Sequence, residues 1–295
     1  MKKNLLFITA LIITQSLWAQ DKENVFQTFK DRWIINTHSV EMLPKGRMDF
    51  RVTHRFGDLA GDAGGWQSFY GLESAADVLI GFEYGATENL SVGIFRTKGA
   101  GDLQQLVSPT LKYRLIRQAE NGAPITLTAV GVGTISTMQK VEDSEGLNSF
   151  PKFSHRIVSN LQLLAARKYS DAFSLQFSAG WSHRNLSPFG ESNDVFNLGF
   201  ATRIQVSHAL SIVGDFTLPV NGVQSPFNDS EAAAEYSPIL GVGIEIETGG
   251  HVFQINLVNA QGIMPTDYSF YTKDADWGKG QFRLGFTISR MFKIR

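Results

Sequence analysis

The last strand-forming stretch of the chain, Gln281 to Phe292, reads QFRLGFTISRMF and alternates with a period of two. Phe282, Leu284, Phe286, Ile288 and Phe292 fall on one face, and Arg283, Gly285, Thr287 and Ser289 on the other. Side chains of a β-strand point alternately to opposite faces, so this stretch is a strand with one apolar and one polar, partly charged side. Stretches of the same kind follow one another along the chain: Arg47–Phe56, Asp77–Gly85, Leu90–Lys98, Leu106–Arg117, Ile125–Met138, His155–Tyr169, Phe173–Leu186, Val195–Val206, Leu210–Val220, Ile239–Thr248 and Val252–Asn259. Phe173, Leu175, Phe177, Ala179 and Trp181 against Ser174, Gln176, Ser178, Gly180 and Ser182 show the pattern most cleanly. Most of these strands have the roughly 9–11 residues that cross a bilayer at a tilt. The expected fold is all-β: a transmembrane antiparallel up-and-down barrel of about twelve strands, lipid outside and a polar lumen inside.

The connections are consistent with this. Short turns at Ala86–Asn89, Ala119–Ala123, Ser170–Ala172, Ser207–Ala209 and Gly249–Gly250 alternate with longer loops at Gly57–Ala76, Val141–Ser154, Ser187–Asp194, Asn221–Pro238 and Gln261–Gly280. Gly99–Asp102 is the weak link, a short connection where a long one is due. Short periplasmic turns and longer extracellular loops describe an outer-membrane barrel. A secreted lipocalin-like barrel or sandwich is the soluble alternative. Twelve long strands with large apolar side chains on one face would close around a core only by leaving a large cavity.

Composition narrows the class further. Met1-Lys2-Lys3, the apolar run Leu5–Thr14 and Leu17-Trp18-Ala19 before Gln20 read as a signal peptide, residues 1–19, cleaved near Ala19. Residues 20–46 are a periplasmic or lumen-inserted segment, and 47–295 the barrel. Within 20–46, Trp33–Leu43 alternates poorly. Counting it would give an odd thirteenth strand, so it is expected not to be a regular membrane strand. No later apolar run approaches the roughly 18 residues of a membrane helix. There is no cysteine, which excludes disulfides, Cys–metal sites and an N-terminal lipid anchor. The net charge is −1, and without Lys2 and Lys3 it becomes −3, which argues against nucleic-acid binding.

The lumen face carries the charges. The lumen-lining candidates are Asp49, Arg51, Arg55, Glu83, Lys112, Arg114, Arg184, Arg203, Asp215, Glu245, Glu247 and Arg283, with Asp77 beside them. On a lipid face, Arg or Lys near midplane costs about 2–4 kcal/mol each. Two readings share these residues: a salt-bridged network filling a narrow lumen, or a charged pore for small polar solutes. Tyr84, Tyr113, Tyr169 and Phe292 sit on the apolar face near the lower ends of descending strands, where an interfacial aromatic girdle belongs. The long loops hold Trp66, Phe69 and Tyr70, and Tyr268, Phe270, Tyr271 and Trp277, either a surface-binding site or a lid.

Catalytic signatures are weak. His38, His54, His155, His183, His208 and His251 form no tight ligand spacing, and no GxSxG elbow is present. Gly241-x-Gly243 lies inside a strand and is better read as close backbone packing than as a phosphate cradle. No catalytic residue, metal or cofactor is assigned, and the chain is not expected to be an enzyme. An outer-membrane hydrolase, the third reading, requires a Ser, a His and an acidic or amide group within hydrogen-bond reach on adjacent strands.

Thr37-His38-Ser39-Val40-Glu41, Leu43-Pro44-Lys45-Gly46, Phe50–Gly57 and Ile80–Gly85 resemble a family of exported β-barrel proteins of unknown function from Bacteroidetes-type bacteria. The resemblance covers most of the mature chain and implies location and architecture, without catalytic residues. The expectation is therefore an outer-membrane barrel of a Gram-negative bacterium, either a small-solute channel or a plugged structural or surface-binding barrel. Its partners would be the lipid bilayer, the outer-membrane assembly machinery and a small solute, with no nucleic acid.

Overall fold

The computed structural model describes residues 23–142, 146–222, 225–227, 236–272 and 275–294. The expected signal peptide, residues 1–19, lies outside the described residues.

Twelve antiparallel strands form one closed barrel. They are β1 (Arg47–Phe56), β2 (Ala75–Gly85), β3 (Leu90–Thr97), β4 (Leu106–Ile116), β5 (Thr126–Ser136) and β6 (Ile157–Lys168). The second half comprises β7 (Phe173–Arg184), β8 (Asp194–Gln205), β9 (Leu210–Pro219), β10 (Ile239–Thr248), β11 (His251–Val258) and β12 (Arg283–Lys293). Each strand pairs with its sequence neighbours, and β12 closes on β1 from Arg47↔Lys293 to Arg55↔Gly285. Closure removes the unpaired edges that a sheet cannot present to lipid. β12 starts after Gln281 and Phe282 because both serve the preceding loop. Phe282 accepts a hydrogen bond from the Leu59 amide at 2.8 Å, and the Gln281 side chain accepts one from Asp276 at 3.0 Å.

The apolar faces point outward. Phe82, Ile94, Leu111, Leu161, Phe177, Phe196, Ile212 and Ile255 are exposed on the outer wall, while the alternate positions are buried. No helix among the described residues is long and apolar enough to cross a membrane; the strands cross it instead. One rim carries the short turns and the other the long loops, including 98–105 between β3 and β4. That connection is compact because it folds inward. The Ala100 amide donates to Asp267 at 2.9 Å, and Leu103 is buried in the cluster around Phe270 and Tyr271.

Two segments occupy the inside. Residues 28–43 leave the turn rim, reach mid-height and return, with Phe29, Trp33, Ile34, Ile35, Val40 and Leu43 buried. From the loop rim, the short helix α1 (Pro265–Tyr271) descends inside, every residue of it buried, against β5 to β8. The inward faces of β2, β3, β5 and β6 therefore include Leu79, Phe95, Val130, Val132 and Leu164, which pack with Trp33, Ile34, Ile263, Met264 and Tyr268 in one apolar cluster.

Candidate functional site

The plug is a tight reversal, not a strand of the sheet. Ile34 N donates to Thr37 O at 2.9 Å and Ser39 N to Arg32 O at 2.8 Å, which folds Trp33 back onto His38 with ring centroids 3.9 Å apart. The reversal has its backbone groups facing the wall, so the wall must satisfy them. Asp215, midway along β9, does most of this. Its carboxylate accepts from Asn36 N (2.6 Å), Thr37 N (2.9 Å), Ile35 N (3.3 Å) and Asn36 Nδ2 (2.7 Å). Gly241 on β10 faces Asp215 in register, and a β-carbon there would come 2.7 Å from Asp215 Oδ1 and 2.9 Å from Asn36 Nδ2. The glycine is what lets the plug tip approach the wall.

Gln176 on β7 reads the plug backbone in both senses, accepting from Val40 N at 3.0 Å and donating to His38 O at 2.7 Å. Arg55 on β1 donates to Asn36 Oδ1 at 2.9 Å, and also to the Gly262 carbonyl just before α1. It ties the plug to the segment descending from the other rim. Below the tip, four charges alternate. Asp31 and Arg32 of the plug meet Asp49 and Arg51 of β1, with Arg32–Asp49 at 2.5 Å, Arg32–Asp31 at 3.5 Å, Arg51–Asp49 at 3.7 Å and Arg51 hydrogen-bonded to Asp31. Burial raises Asp31, but Arg51 and Arg32 outweigh it and hold the carboxyl below the ordinary carboxylate range.

The other lumen candidates divide by height. Lys112 is buried and donates to Arg32 O at 3.4 Å, and Glu83 is buried beside the same charges. Arg203 and Glu245 pair at 2.9 Å across β8 and β10. Glu247 sits nearer the turn rim, partly exposed, 2.7 Å from Lys30. Arg114 also lies at that rim and binds the Glu88 carbonyl and the Asn89 side chain, away from the plug tip. Arg283 donates to Asn259 O at 2.6 Å near the loop rim. Arg184 lies at the same rim, bonded to Glu191 at 2.6 Å and stacked over Phe270 at 4.7 Å. Asp77 accepts from Gly99 N at 2.9 Å and Ile263 N at 3.0 Å, pinning two loop-rim connections. Of the aromatics, Tyr84 and Phe292 both pair with Met48 in one outward row, while Tyr113 and Tyr169 are exposed toward the same turn rim. At the other end Tyr268, Phe270 and Tyr271 are buried, whereas Trp66, Phe69 and Tyr70 stand exposed.

The plug side of this site (Asp31, Arg32, Asn36) and its reader Gln176 carry no motif in the sequence. One signal for them exists: Leu79, Phe95, Val130 and Val132 break the polar face of their strands, and an apolar lumen face needs an apolar occupant. Among the described residues no cluster of three or more His, Asp or Glu side chains is placed to hold a metal ion.

Residues 29–292 match a family described as a membrane bound beta barrel domain, DUF5777. The chain belongs to this family. No curated protein matches the chain. Solved structures similar to this DUF5777 barrel include the NanC porin, 10% identical with a TM-score of 0.48 over 84% of this chain and 100% of that one. The KdgM porin is 5% identical with a TM-score of 0.47 over 84% of this chain and 99% of that one. The P. putida toluene transporter TodX is 10% identical with a TM-score of 0.40 over 86% and 92%. These are likenesses of barrel outline only.

His38 gives the DUF5777 plug a pH dependence. Burial, and then the nearby Lys112 and Arg51, push its imidazole well below the ordinary histidine range. Docked, it stays neutral; released, it takes up a proton below about pH 6.5. The docked state therefore loses about 1.4 kcal/mol for each pH unit below that value, until the docked imidazole itself titrates. Asp267 on α1 acts in the opposite sense. Burial and then Asp77 push its carboxyl up to about 7, so the helix is favoured as pH falls. Acid is thus expected to loosen the plug and not α1. Channel openings in planar bilayers should be more frequent at pH 5 than at pH 7.5, and His38→Gln should remove most of that difference.

Proposed function

We propose that this protein is an outer-membrane barrel that is closed at rest, a plugged barrel and not an open pore. The observation that carries this is the grip of Asp215 on the plug tip, where one buried carboxylate satisfies three backbone amides and a side-chain amide. The charges a solute channel would display are spent on residues 28–43 and on neighbouring wall groups. Helix α1 fills part of the other half of the lumen. A small-solute channel remains the second reading, favoured by the mixed charges that line the wall, and it requires the plug to move. The short-turn rim faces the periplasm and the long loops face outside on this reading, with the barrel delivered to the membrane by the assembly machinery after loss of the export signal. The exposed Trp66, Phe69 and Tyr70, with ring centroids of Trp66 6.1 Å from Phe69 and 6.4 Å from Tyr70, form a surface available to a partner outside the cell.

The test has two steps. The full-length protein should fractionate with the outer membrane and run as a heat-modifiable band. Reconstituted at pH 7.5 in planar bilayers, it should insert without steady conductance steps. Stable open steps in the unmodified protein would reject the closed barrel in favour of the channel.

A further inference from the structure

The lipid side of β5 is small at mid-strand. Ala129, Gly131 and Gly133 face outward, while Val130 and Val132 turn inward toward the plug. The strands on either side present large residues at the same heights: Leu111 pairs with Gly131 and Gly131 with Leu161, and Tyr113 pairs with Ala129 and Ala129 with Leu163. The small residues thus form the floor of a trough between two apolar ridges, with depressions of about 520 and 590 Å³ along it. At its upper end, near the loop rim, a β-carbon added to Gly133 would meet nothing within 4 Å.

Three polar side chains stand beside that open point in one outward row across β6 to β8. Ser159 on β6 pairs with Gly133 on one side and with His183 of β7 on the other, and His183 pairs with Asp194 of β8. His183 Nδ1 lies 2.9 Å from Asp194 Oδ1, and Trp181 Nε1 donates to the same oxygen at 2.7 Å. A carboxylate partner at Nδ1 makes that nitrogen the protonated one and leaves Nε2 as a base. Directly opposed residues place their β-carbons about 4.5–5.5 Å apart, so the Ser159 hydroxyl and the His183 imidazole are neighbours across β6 and β7 without a hydrogen bond between them. A nucleophile–base hydrogen bond often forms only once substrate is bound. Both ends of the His–Asp pair remain reachable, with side-chain exposures of 33% and 41%. Polar residues merely decorating the rim would need neither a third group holding the imidazole nor an apolar trough leading to the serine.

We infer that Ser159, His183 and Asp194 form a lipid-facing acyl-ester hydrolase site, with the β5 trough holding the acyl chain of a membrane glycerolipid. The row lies near the loop rim, at the height where the ester bonds of a bilayer lipid sit beneath its headgroup. Ser159 Oγ attacks the ester carbonyl carbon as its proton passes to His183 Nε2. The tetrahedral adduct then collapses, the C–O bond to the glycerol oxygen breaks, and the leaving alcohol takes the proton from His183. Water, deprotonated by the same nitrogen, attacks the acyl-serine, and the proton returns to Ser159 as the fatty acid leaves. Ser159 and His183 are catalytic; Asp194 is a positioning residue that sets the tautomer of His183. The site is on the outer wall and does not depend on whether the lumen is plugged.

The test uses the full-length protein in vesicles of phosphatidylethanolamine and phosphatidylglycerol, with released fatty acid measured and folding of every variant checked by its heat-modifiable band. Ser159→Ala and His183→Ala should each lower release at least 100-fold. Asp194→Asn should lower kcat about 10-fold or more with little change in KM, as a misoriented base would. Gly133→Leu should block release from the long-chain lipids while sparing hydrolysis of p-nitrophenyl acetate, a split that loss of fold would not produce. A fluorophosphonate probe should label the wild type at Ser159, and the label should vanish in His183→Ala. A folded wild type that releases no fatty acid, or release that survives Ser159→Ala, overturns the inference.

Discussion

Replacing Asp215 by alanine is expected to turn a silent barrel into one that opens in bursts. The carboxylate accepts four hydrogen bonds from the plug tip, all of them buried. Removing it leaves the Ile35, Asn36 and Thr37 amides and Asn36 Nδ2 without an acceptor, and an orphaned buried donor costs about 1–3 kcal/mol. Partial rescue by water entering the vacated space limits the total, so a loss of about 3–6 kcal/mol in plug docking is expected. Since 1.4 kcal/mol is a factor of ten, the ratio of docked to released plug falls by about 10²–10⁴. The barrel itself should persist, because its twelve strands pair with one another and not with the plug. Asp215→Asn fills the same volume but brings an NH₂ group against amide donors, and should open the lumen to a similar degree. Deleting residues 28–43 should give the largest conductance, limited by α1, which stays against β5 to β8. Ion selectivity should be weak, because the uncovered wall carries both signs at close range, as at Asp49 beside Arg51. Electrical silence of folded Asp215→Ala and of the deletion variant would place the barrier elsewhere, in α1 and the loop-rim connections.

The barrel was legible in the sequence because lipid and lumen impose opposite chemistries on alternate residues, and every strand repeats the constraint. The terminal strand alone shows it, and its pairing with β1 follows once the strand number is even. The contents of the lumen were far less legible. Residues 28–43 have no periodicity because they form a reversal held by side chains of distant strands, such as Asp215 and Gln176, whose partners lie more than a hundred positions away. Charges on the inner face were visible as charges. Whether Arg51 meets a solute or Asp31 depends on register around the closed wall, which no local pattern records. Helix α1 was hidden for a different reason: its seven residues are too few for a helical period to emerge, and all of them are buried. The outward row Ser159, His183 and Asp194 depends likewise on register, since the three residues become neighbours only when β6, β7 and β8 pair. What the sequence does show is that His183 continues the apolar face of Phe173, Leu175, Phe177, Ala179 and Trp181, an odd place for an imidazole.

Arg51→Met is expected to destabilise the folded barrel strongly. Arg51 sits between Asp31, to which it donates a hydrogen bond, and Asp49 at 3.7 Å, and its guanidinium lies 5.8 Å from the Trp33 ring. All four members of the charge square are buried, so water does not screen what remains. Without Arg51, Arg32 and Lys112 are left to balance Asp31, Asp49 and Glu83. Removing one partner of a buried ion pair typically costs about 3–5 kcal/mol, because the other charge stays desolvated and unpaired. The measurement is the urea midpoint of folding in lipid vesicles, followed by the heat-modifiable band. The same principle dictates the control. Replacing both members of a buried pair is often close to neutral, so Asp31→Asn combined with Arg51→Met should recover most of the loss. Asp31→Asn alone should also destabilise, since its charge opposes both Arg51 and Arg32. The two single losses should therefore exceed the double loss by about 2 kcal/mol or more, well beyond the ~0.5 kcal/mol scatter of independent sites. Additive behaviour within that scatter would mean that Asp31 and Arg51 are not coupled in the membrane, and that the plug is anchored at its tip by Asp215 and not at its base.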